Sequence, residues 1–154
     1  SNENEVKNFD SNYKVFPPLR NHDDQQALID GLKDGTIDCI STQHTPLNID
    51  EKNVEFEHAS FGIIGLQTAF GLLNKKLGNE ISKEKLIQLL SLNPGKIIGK
   101  ENKNADFIIL NFDEEYTFTE KINQSKSKNF PYFNQTLKGK VKAVFSKGKL
   151  IIIE

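Results

Sequence analysis

The chain has 154 residues and a net charge of −1, which suits one domain of ordinary size and leaves whole-molecule charge unable to name a nucleic-acid or membrane partner. Apolar residues make up 36% and mean hydropathy is −0.51, so the core is thin, and no apolar run nears the ~18 residues of a membrane-spanning helix. The lone cysteine, Cys39, excludes an internal disulfide and fits a reducing compartment, so the chain reads as cytoplasmic.

Methionine is absent and the chain opens on the polar run Ser1-Asn2-Glu3-Asn4, which reads as a piece of a longer protein. Residues 1–12 are expected to be an extended or disordered lead. Tyr13 to Phe16 reads as a short strand stopped by Pro17-Pro18, since proline donates no ladder hydrogen bond. Asp23 or Asp24 is placed to cap a helix whose apolar side is Ala27, Leu28, Ile29 and Leu32, with Gly35 as its stop. Ile37 to Ser41 reads as a short buried strand, which gives strand, helix, strand over about 30 residues, the size of a βαβ unit.

The stretch from His44 to Ser60 is a long charged loop, a kind that is often functional. Ile63, Leu66, Phe70, Leu73 and Leu77 recur at spacings of 3 and 4, which predicts a helix over 62–77 with that stripe inward and Gly78 as stop. Ser82 is placed to cap the next helix, with Ile81 and Leu86 as a hydrophobic staple and Pro94-Gly95 as its end. From Ala105 the pattern turns strand-like, at Phe107 to Leu110 and Tyr116 to Thr119. Asn123 to Asn129 reads as a loop. Val141 to Phe145 and Leu150 to Ile153 flank Ser146-Lys147-Gly148-Lys149 as a hairpin. A boundary between an α/β part and a β part falls near residues 95–105.

Few residues invite chemistry. His44 has no histidine, cysteine or carboxylate at ligand spacing beside it, so it reads as structural. His22 and His58 read as solvated, and Cys39 as a small hydrophobe in its strand. Arg20, the only arginine, reads as an ion-pair partner. Residues 121–149 hold 8 lysines and no acid, interleaved with Phe130, Tyr132, Phe133 and Phe145. A single-stranded nucleic-acid platform is the sharper reading of that stretch, and a lysine-guarded sheet edge without nucleic acid the preferred one.

Three stretches carry a resemblance. Thr42-Gln43-His44-Thr45-Pro46-Leu47, then Glu51-Lys52, then Phe61-Gly62-Ile63-Ile64-Gly65-Leu66-Gln67-Thr68 resembles the T-D-H-A-P-H, E-K and F-G-I-x-G-L-E-T of dihydroorotases, in the cyclic amidohydrolase family. Tyr13 to Arg20 resembles the family's K-x-N-P-P-L-R, and Asn104 to Phe107, Ser127 to Tyr132 and Leu137 to Val141 resemble its later motifs in order. The resemblance implies an α/β fold. Residues 13–95 would be the last two strand–helix units of a TIM-type barrel (strand 7, helix 7, strand 8, helix 8) and a following helix. Residues 105–154 would be carboxyl-terminal strands of the small composite β domain. Two strands of eight cannot close a barrel, so the missing amino-terminal barrel units, or another copy in a homo-oligomer, are expected partners.

The family's reaction is the reversible, zinc-assisted ring opening of dihydroorotate to carbamoyl aspartate in pyrimidine biosynthesis. By resemblance, Gln43 stands where the proton-transferring aspartate is expected, Leu47 where a histidine binds the substrate carboxylate, and Phe16 where an asparagine meets substrate. Phe61 and Gly62 match a pair whose backbone binds substrate. No catalytic residue and no metal ligand is therefore expected in this chain, and zinc belongs to the family. Two functions are implied: a dihydroorotase-like cyclic amidohydrolase, or an inactive homologue kept as a structural partner, for example of aspartate carbamoyltransferase.

Overall fold

The computed structural model describes residues 1–100 and 106–153. The chain divides into two compact units, each built from separated stretches. Ser1–Gly31, Thr42–Ala69 and Thr117–Gln135 make the first, and Leu32–Ser41, Phe70–Tyr116 and Thr136–Glu154 the second. The boundary expected near 95–105, and the Asn104-Ala105 part of the later motif, fall partly or wholly outside the described residues. No described helix is long and apolar enough to cross a membrane.

The first unit opens with two 3-10 turns, Glu3–Asn8 and Ser11–Tyr13, in place of an extended lead. Their cause is local. The Asn2 and Asp10 side chains accept the backbone N–H groups of Asn4 and Asn12 at 3.0 and 2.9 Å, which favours a turn over a ladder. The expected strand at Tyr13 to Phe16 is absent for the same reason. In place of a ladder, Gly62 N–H donates to Lys14 O at 3.0 Å. Helix α1, His22–Asp34, is capped by Asn21 rather than Asp23 or Asp24, its Oδ1 accepting Asp24 N–H at 2.8 Å. Arg20 meets Asp24 at 3.0 Å on the surface. Helix α2, Ile49–Lys52, carries a capping box between Asn48 and Glu51. The apolar centre of this unit is Ala59, Ile64, Phe118 and Phe130. Phe118 meets Phe130 edge-on at 5.3 Å and stacks on Phe133 at 5.4 Å.

The helix expected over 62–77 begins later, as α3, Ala69–Leu77. The preceding residues spend their backbone sideways. Thr45 N–H donates to Ile63 O at 2.9 Å and Ile64 N–H to Asn129 O at 3.1 Å. Groups engaged across the chain cannot also make the helical ladder. Leu66 consequently lies outside the helix and is 68% exposed, so the expected inward stripe holds only from Phe70 onward.

In the second unit, strands β1 (Phe107–Thr117), β2 (Thr136–Ser146) and β3 (Lys149–Ile152) form a sheet in the order β1-β2-β3. β2 and β3 are antiparallel, with Ser146 opposite Lys149. The hairpin is the expected one: Lys147 and Gly148 have φ of 50° and 77°, the two positive values that a tight two-residue turn needs. Within the unit, α3 is pinned to the sheet by buried Asn74, which donates to Phe112 O at 2.8 Å and Lys138 O at 2.9 Å. Phe70 packs edge-on to Phe112 at 5.2 Å.

Ser82 caps α4, Lys83–Ile87, as expected, accepting Lys85 N–H at 3.1 Å. Pro94-Gly95 does not end the helical run. A π-helical turn, Gln88–Leu92, leads into α5, Asn93–Ile97. Asn93 N–H reaches back to Gln88 O, and this wider turn sets Pro94 at the start of α5, where a missing N–H costs little. Ile37 to Ser41 is not a strand. Ile40 N–H donates to Leu89 O at 2.9 Å and Asp38 O accepts from Asn93 at 2.8 Å, so helical neighbours satisfy a backbone that has no flanking strand.

Lysines in the middle of the 121–149 stretch answer to acids. On β2, Lys138 meets Asp113 at 3.6 Å, and Lys140 and Lys142 meet Glu114 at 3.7 and 3.1 Å. Lys138, Lys140 and Lys142 stand at alternate positions of β2 and so share a face, while β1 supplies the carboxylates from two consecutive positions. These ion pairs hold the Asp113 and Glu114 carboxyls below their usual range, with Lys83 the main cause for Asp113 and Lys142 for Glu114.

Candidate functional site

The site lies wholly in the first unit. It starts at Gln43, whose φ of 42° is left-handed, a strained choice for a residue with a side chain. Thr45 Oγ1 donates to Gln43 O at 2.9 Å and closes this turn. His44 follows. It pairs with Ile63 as an isolated parallel bridge, and its Nδ1 accepts the N–H groups of Gly65 at 3.1 Å and Leu66 at 3.2 Å. An imidazole that accepts at Nδ1 carries its proton on Nε2 when neutral.

Two buried polar side chains brace the site, Asn129 at this turn and Lys52 at the loop that meets it. Asn129 donates to Thr45 O at 2.8 Å and accepts Leu47 N–H at 3.4 Å. Lys52 is 5% exposed. Its ammonium donates to Lys14 O at 3.2 Å and Ser60 O at 2.9 Å. Burial pushes the Lys52 pKa down, against a smaller opposing pull from Asp10. The Glu51-Lys52 pair of the resemblance thus has a structural use: Glu51 accepts Asn48 N–H at 2.9 Å at the head of α2, and Lys52 fastens the loop end that delivers Phe61 and Gly62.

Gly62 has φ of 150°, which side-chain-bearing residues rarely adopt. A Cβ there would lie 2.8 Å from Thr45 Cγ2 and 3.1 Å from Leu47 Cδ1. Phe61 beside it meets Phe16 edge-on at 6.1 Å. Lys14 Nζ lies 4.8 Å from the centre of the Phe61 ring and donates to Phe56 O at 2.8 Å and Glu57 O at 2.9 Å.

These contacts bring Phe16, Gln43, His44, Phe61 and Gly62, which are scattered over 47 positions of sequence, around one hollow of about 390 Å³. Leu47 is not among its lining residues. It packs against Gly62 and borders a separate polar groove with Asn48, Lys52 and Asn129. His44 also borders a second, mainly apolar hollow of about 310 Å³ with Leu66, Gln67 and Phe118. His22 and His58 are exposed, 4.0 Å from Asp23 and 3.9 Å from Glu55. Cys39 is a half-buried free thiol. Sequence reading missed Lys52 and Asn129 as supports. The Glu51-Lys52 pair inside a loop was the available signal for the first, and Asn129 had none beyond its motif.

Zinc, which the resemblance implies for the family, does not fit the residues present. Among the described residues no three His, Cys, Asp or Glu side chains come together to hold a metal ion. His44 commits Nδ1 to two backbone donors, which leaves a proton on Nε2, and Gln43 offers no anionic oxygen.

No protein-family model matches the chain. The chain is 45% identical over 152 residues to the dihydroorotase of Caldanaerobacter subterraneus subsp. tengcongensis, covering 94% of this chain and 35% of that one. It is 42% identical over 152 residues to the dihydroorotase of Thermoanaerobacter sp. (strain X514), with the same 94% and 35% coverage. Among solved structures, the L-hydantoinase (dihydropyrimidinase) of Arthrobacter aurescens matches with a TM-score of 0.84 at 20% identity, over 99% of this chain and 37% of that one. The D-hydantoinase (dihydropyrimidinase) of a Thermus species matches with a TM-score of 0.80 at 20% identity, over 92% and 34%. At that identity the likeness is one of fold. The chain spans about a third of the length of the curated relatives it matches, and over nearly all of its own length it is a homologue of the carboxyl-terminal part of dihydroorotases.

Proposed function

We propose that this chain is part of a cyclic amidohydrolase scaffold, dihydroorotase-like by descent, in which ring hydrolysis has been lost. The observation that carries the reading is Gln43, in the hollow with Phe16, His44, Phe61 and Gly62. Ring opening needs a group that takes a proton from the attacking water and gives one to the leaving nitrogen. A carboxamide does neither near neutral pH. His44 cannot replace it in place, because taking up a proton at Nδ1 would set that proton against the Gly65 and Leu66 N–H groups. Phe16 and Leu47 add no polar contact for an anionic substrate.

The wider reading follows from the resemblance. Residues 13–95 are the last two barrel units and a following helix, and 105–154 the carboxyl-terminal strands of the composite β domain, in a cytoplasmic protein. The first partner is the missing amino-terminal barrel, and a homo-oligomer or aspartate carbamoyltransferase would be the next. Exposed apolar side chains on β3, Leu150, Ile151 and Ile152, support a covering partner of some kind. Neither nucleic acid nor membrane has a place in it.

The alternative reading is an active enzyme that opens dihydroorotate to carbamoyl aspartate. The 45% identity to a dihydroorotase favours it, and it needs a base outside this hollow. Dihydroorotate hydrolysis by the full-length protein, with zinc added, separates the two. The expected result is no turnover above the uncatalysed rate, and robust turnover would establish the alternative.

A further inference from the structure

We infer that Asp34 is a site of spontaneous isoaspartate formation, which makes the aged protein a substrate for a methyltransferase acting on isoaspartyl carboxylates. The site lies at the end of α1, away from Gln43 in sequence, and every group in the reaction belongs to residues 34–36.

The reaction is intramolecular. The Gly35 backbone nitrogen adds to the side-chain carboxyl carbon of Asp34. The nitrogen's proton and the carboxyl hydroxyl leave as water, and a five-membered succinimide closes. Water then opens the ring at either carbonyl. One opening restores aspartate. The other leaves isoaspartate, in which the main chain runs through the side-chain methylene and the α-carboxylate hangs free. One water leaves and one returns, so no co-reactant is needed.

The following residue is the first argument. A side chain there crowds the closing ring, and glycine has none. Asp-Gly occurs at Asp30 and Asp34, and Asn-Gly does not occur in the chain.

Backbone freedom separates these two. Gly31 is buried inside α1, where the helical ladder engages its N–H and holds it away from the Asp30 carboxyl. Gly35 follows the last residue of α1, is exposed and has φ of 91°. A Cβ built there would meet no described atom within 4 Å. Helix ends fray, so the Asp34 backbone can turn to bring nitrogen and carbon together.

The carboxyl's partner is the third argument. Asp34 Oδ1 accepts Thr36 N–H at 2.8 Å, closing a hydrogen-bonded ring that contains the Gly35 nitrogen. Asp30 Oδ1 instead takes the Gln26 amide, one turn away, at 3.0 Å. Asp10 has the same tether, to Asn12 N–H at 2.9 Å, but Ser11 follows it with a side chain. Thr36 also slows the step. Its N–H first, and then its hydroxyl, hold the Asp34 carboxyl below the usual carboxylate range, while the ring closes most readily from the uncharged acid. Conversion is therefore a matter of ageing.

The test ages the full-length protein for several weeks at 37 °C, folded and in guanidinium chloride. Isoaspartate is counted by enzymatic methyl transfer and placed by electron-transfer fragmentation of its peptides. In the folded protein, Asp34 is expected to convert at least fivefold faster than Asp30 or Asp10, and Asp34→Glu, whose ring would have six members, to lose most of the methyl acceptance. In denaturant, Asp30 is expected to rise to within about twofold of Asp34. Folded protein that converts first at Asp30 or Asp10, methyl acceptance unchanged in Asp34→Glu, or the same preference for Asp34 with and without denaturant would overturn the inference.

Discussion

The Lys14 carbonyl accepts two hydrogen bonds, from the Lys52 ammonium at 3.2 Å and from the Gly62 N–H at 3.0 Å. One buried cation therefore ties residues 14, 52 and 60 at the point where Phe61 and Gly62 reach the hollow. The other tie of the ammonium is to Ser60 O at 2.9 Å. Replacing Lys52 by methionine keeps the apolar stem and leaves buried carbonyl groups short of a donor. We expect Lys52→Met to cost about 1–3 kcal/mol, read as a lowered midpoint in urea, with faster hydrogen exchange at the Gly62 amide. An unchanged midpoint would show that water replaces the ammonium without loss.

All three tyrosines resist ionisation. Tyr13 is pushed up to about 12, by burial first and then by the charge of Glu5. Burial raises Tyr116 and Tyr132 as well. A phenol whose folded pKa exceeds its unfolded value of about 10 contributes stability that is complete below pH ~10 and is lost as pH rises through the folded values. Absorbance titration at 295 nm is expected to show tyrosinate appearing well above pH 10 in the folded protein and near 10 in denaturant. The urea midpoint should fall between pH 10 and 12, and Tyr13→Phe should flatten that fall. Normal tyrosine titration in the folded protein would refute the burial described for these rings.

Asn74 links α3 to two strands through Phe112 O and Lys138 O, at 2.8 and 2.9 Å. Asn74→Leu fills similar space but strips both carbonyls of their donor. The expected cost is roughly 2–4 kcal/mol, since two buried acceptors lose their partner, measured by thermal or urea unfolding. A loss below about 0.5 kcal/mol, the range of ordinary surface changes, would mean that α3 is not held by this side chain.

Local chemistry was legible in the sequence, and partners distant in the chain were not. Lys147-Gly148 and Ser82 declare a turn and a cap because the groups they serve lie within a few residues. The span from Gly62 to Thr68 has the apolar spacing of a helix, yet its backbone is claimed by Thr45 and Asn129, and no periodicity reports a competitor 65 residues away, the separation of Ile64 from Asn129. Ile37 to Ser41 failed as a strand for the converse reason: its composition suits a ladder, but its neighbours are helical. The resemblance named Gln43, Phe61 and Gly62 as site positions, while their sharing one hollow, and the braces Lys52 and Asn129, are legible only in the three-dimensional structure. The difference is measurable. Leu66→Ala, at a 68% exposed residue, should cost less than about 0.5 kcal/mol, and Leu86→Ala, at 1% exposed, about 2–5 kcal/mol. Equal costs in unfolding experiments would restore the inward stripe that the sequence predicts.

The last prediction concerns restoring hydrolysis. Gln43→Asp supplies the carboxylate that the resemblance expects, in a turn whose left-handed φ of 42° aspartate tolerates better than most residues. We nevertheless expect no dihydroorotate turnover from this change alone in the full-length protein, with zinc added. An acid–base group contributes about 10²–10⁴-fold in rate, and only where substrate already binds in register. Among the described residues the hollow is lined by no cation for the substrate carboxylate, and Phe16 occupies the rim against Phe61 at 6.1 Å. Leu47→His would not repair binding by itself, because residue 47 packs beneath Gly62 and does not line the hollow. The triple variant Phe16→Asn, Gln43→Asp, Leu47→His is expected to gain activity only if that residue can swing past Gly62 and if the rest of the protein brings metal ligands. The assay is the appearance of carbamoyl aspartate over hours, against the unaltered protein and an enzyme-free control. Turnover by Gln43→Asp alone, raised by zinc and abolished by a chelator, would show that substrate still binds in register and that the missing carboxylate is the whole of the defect.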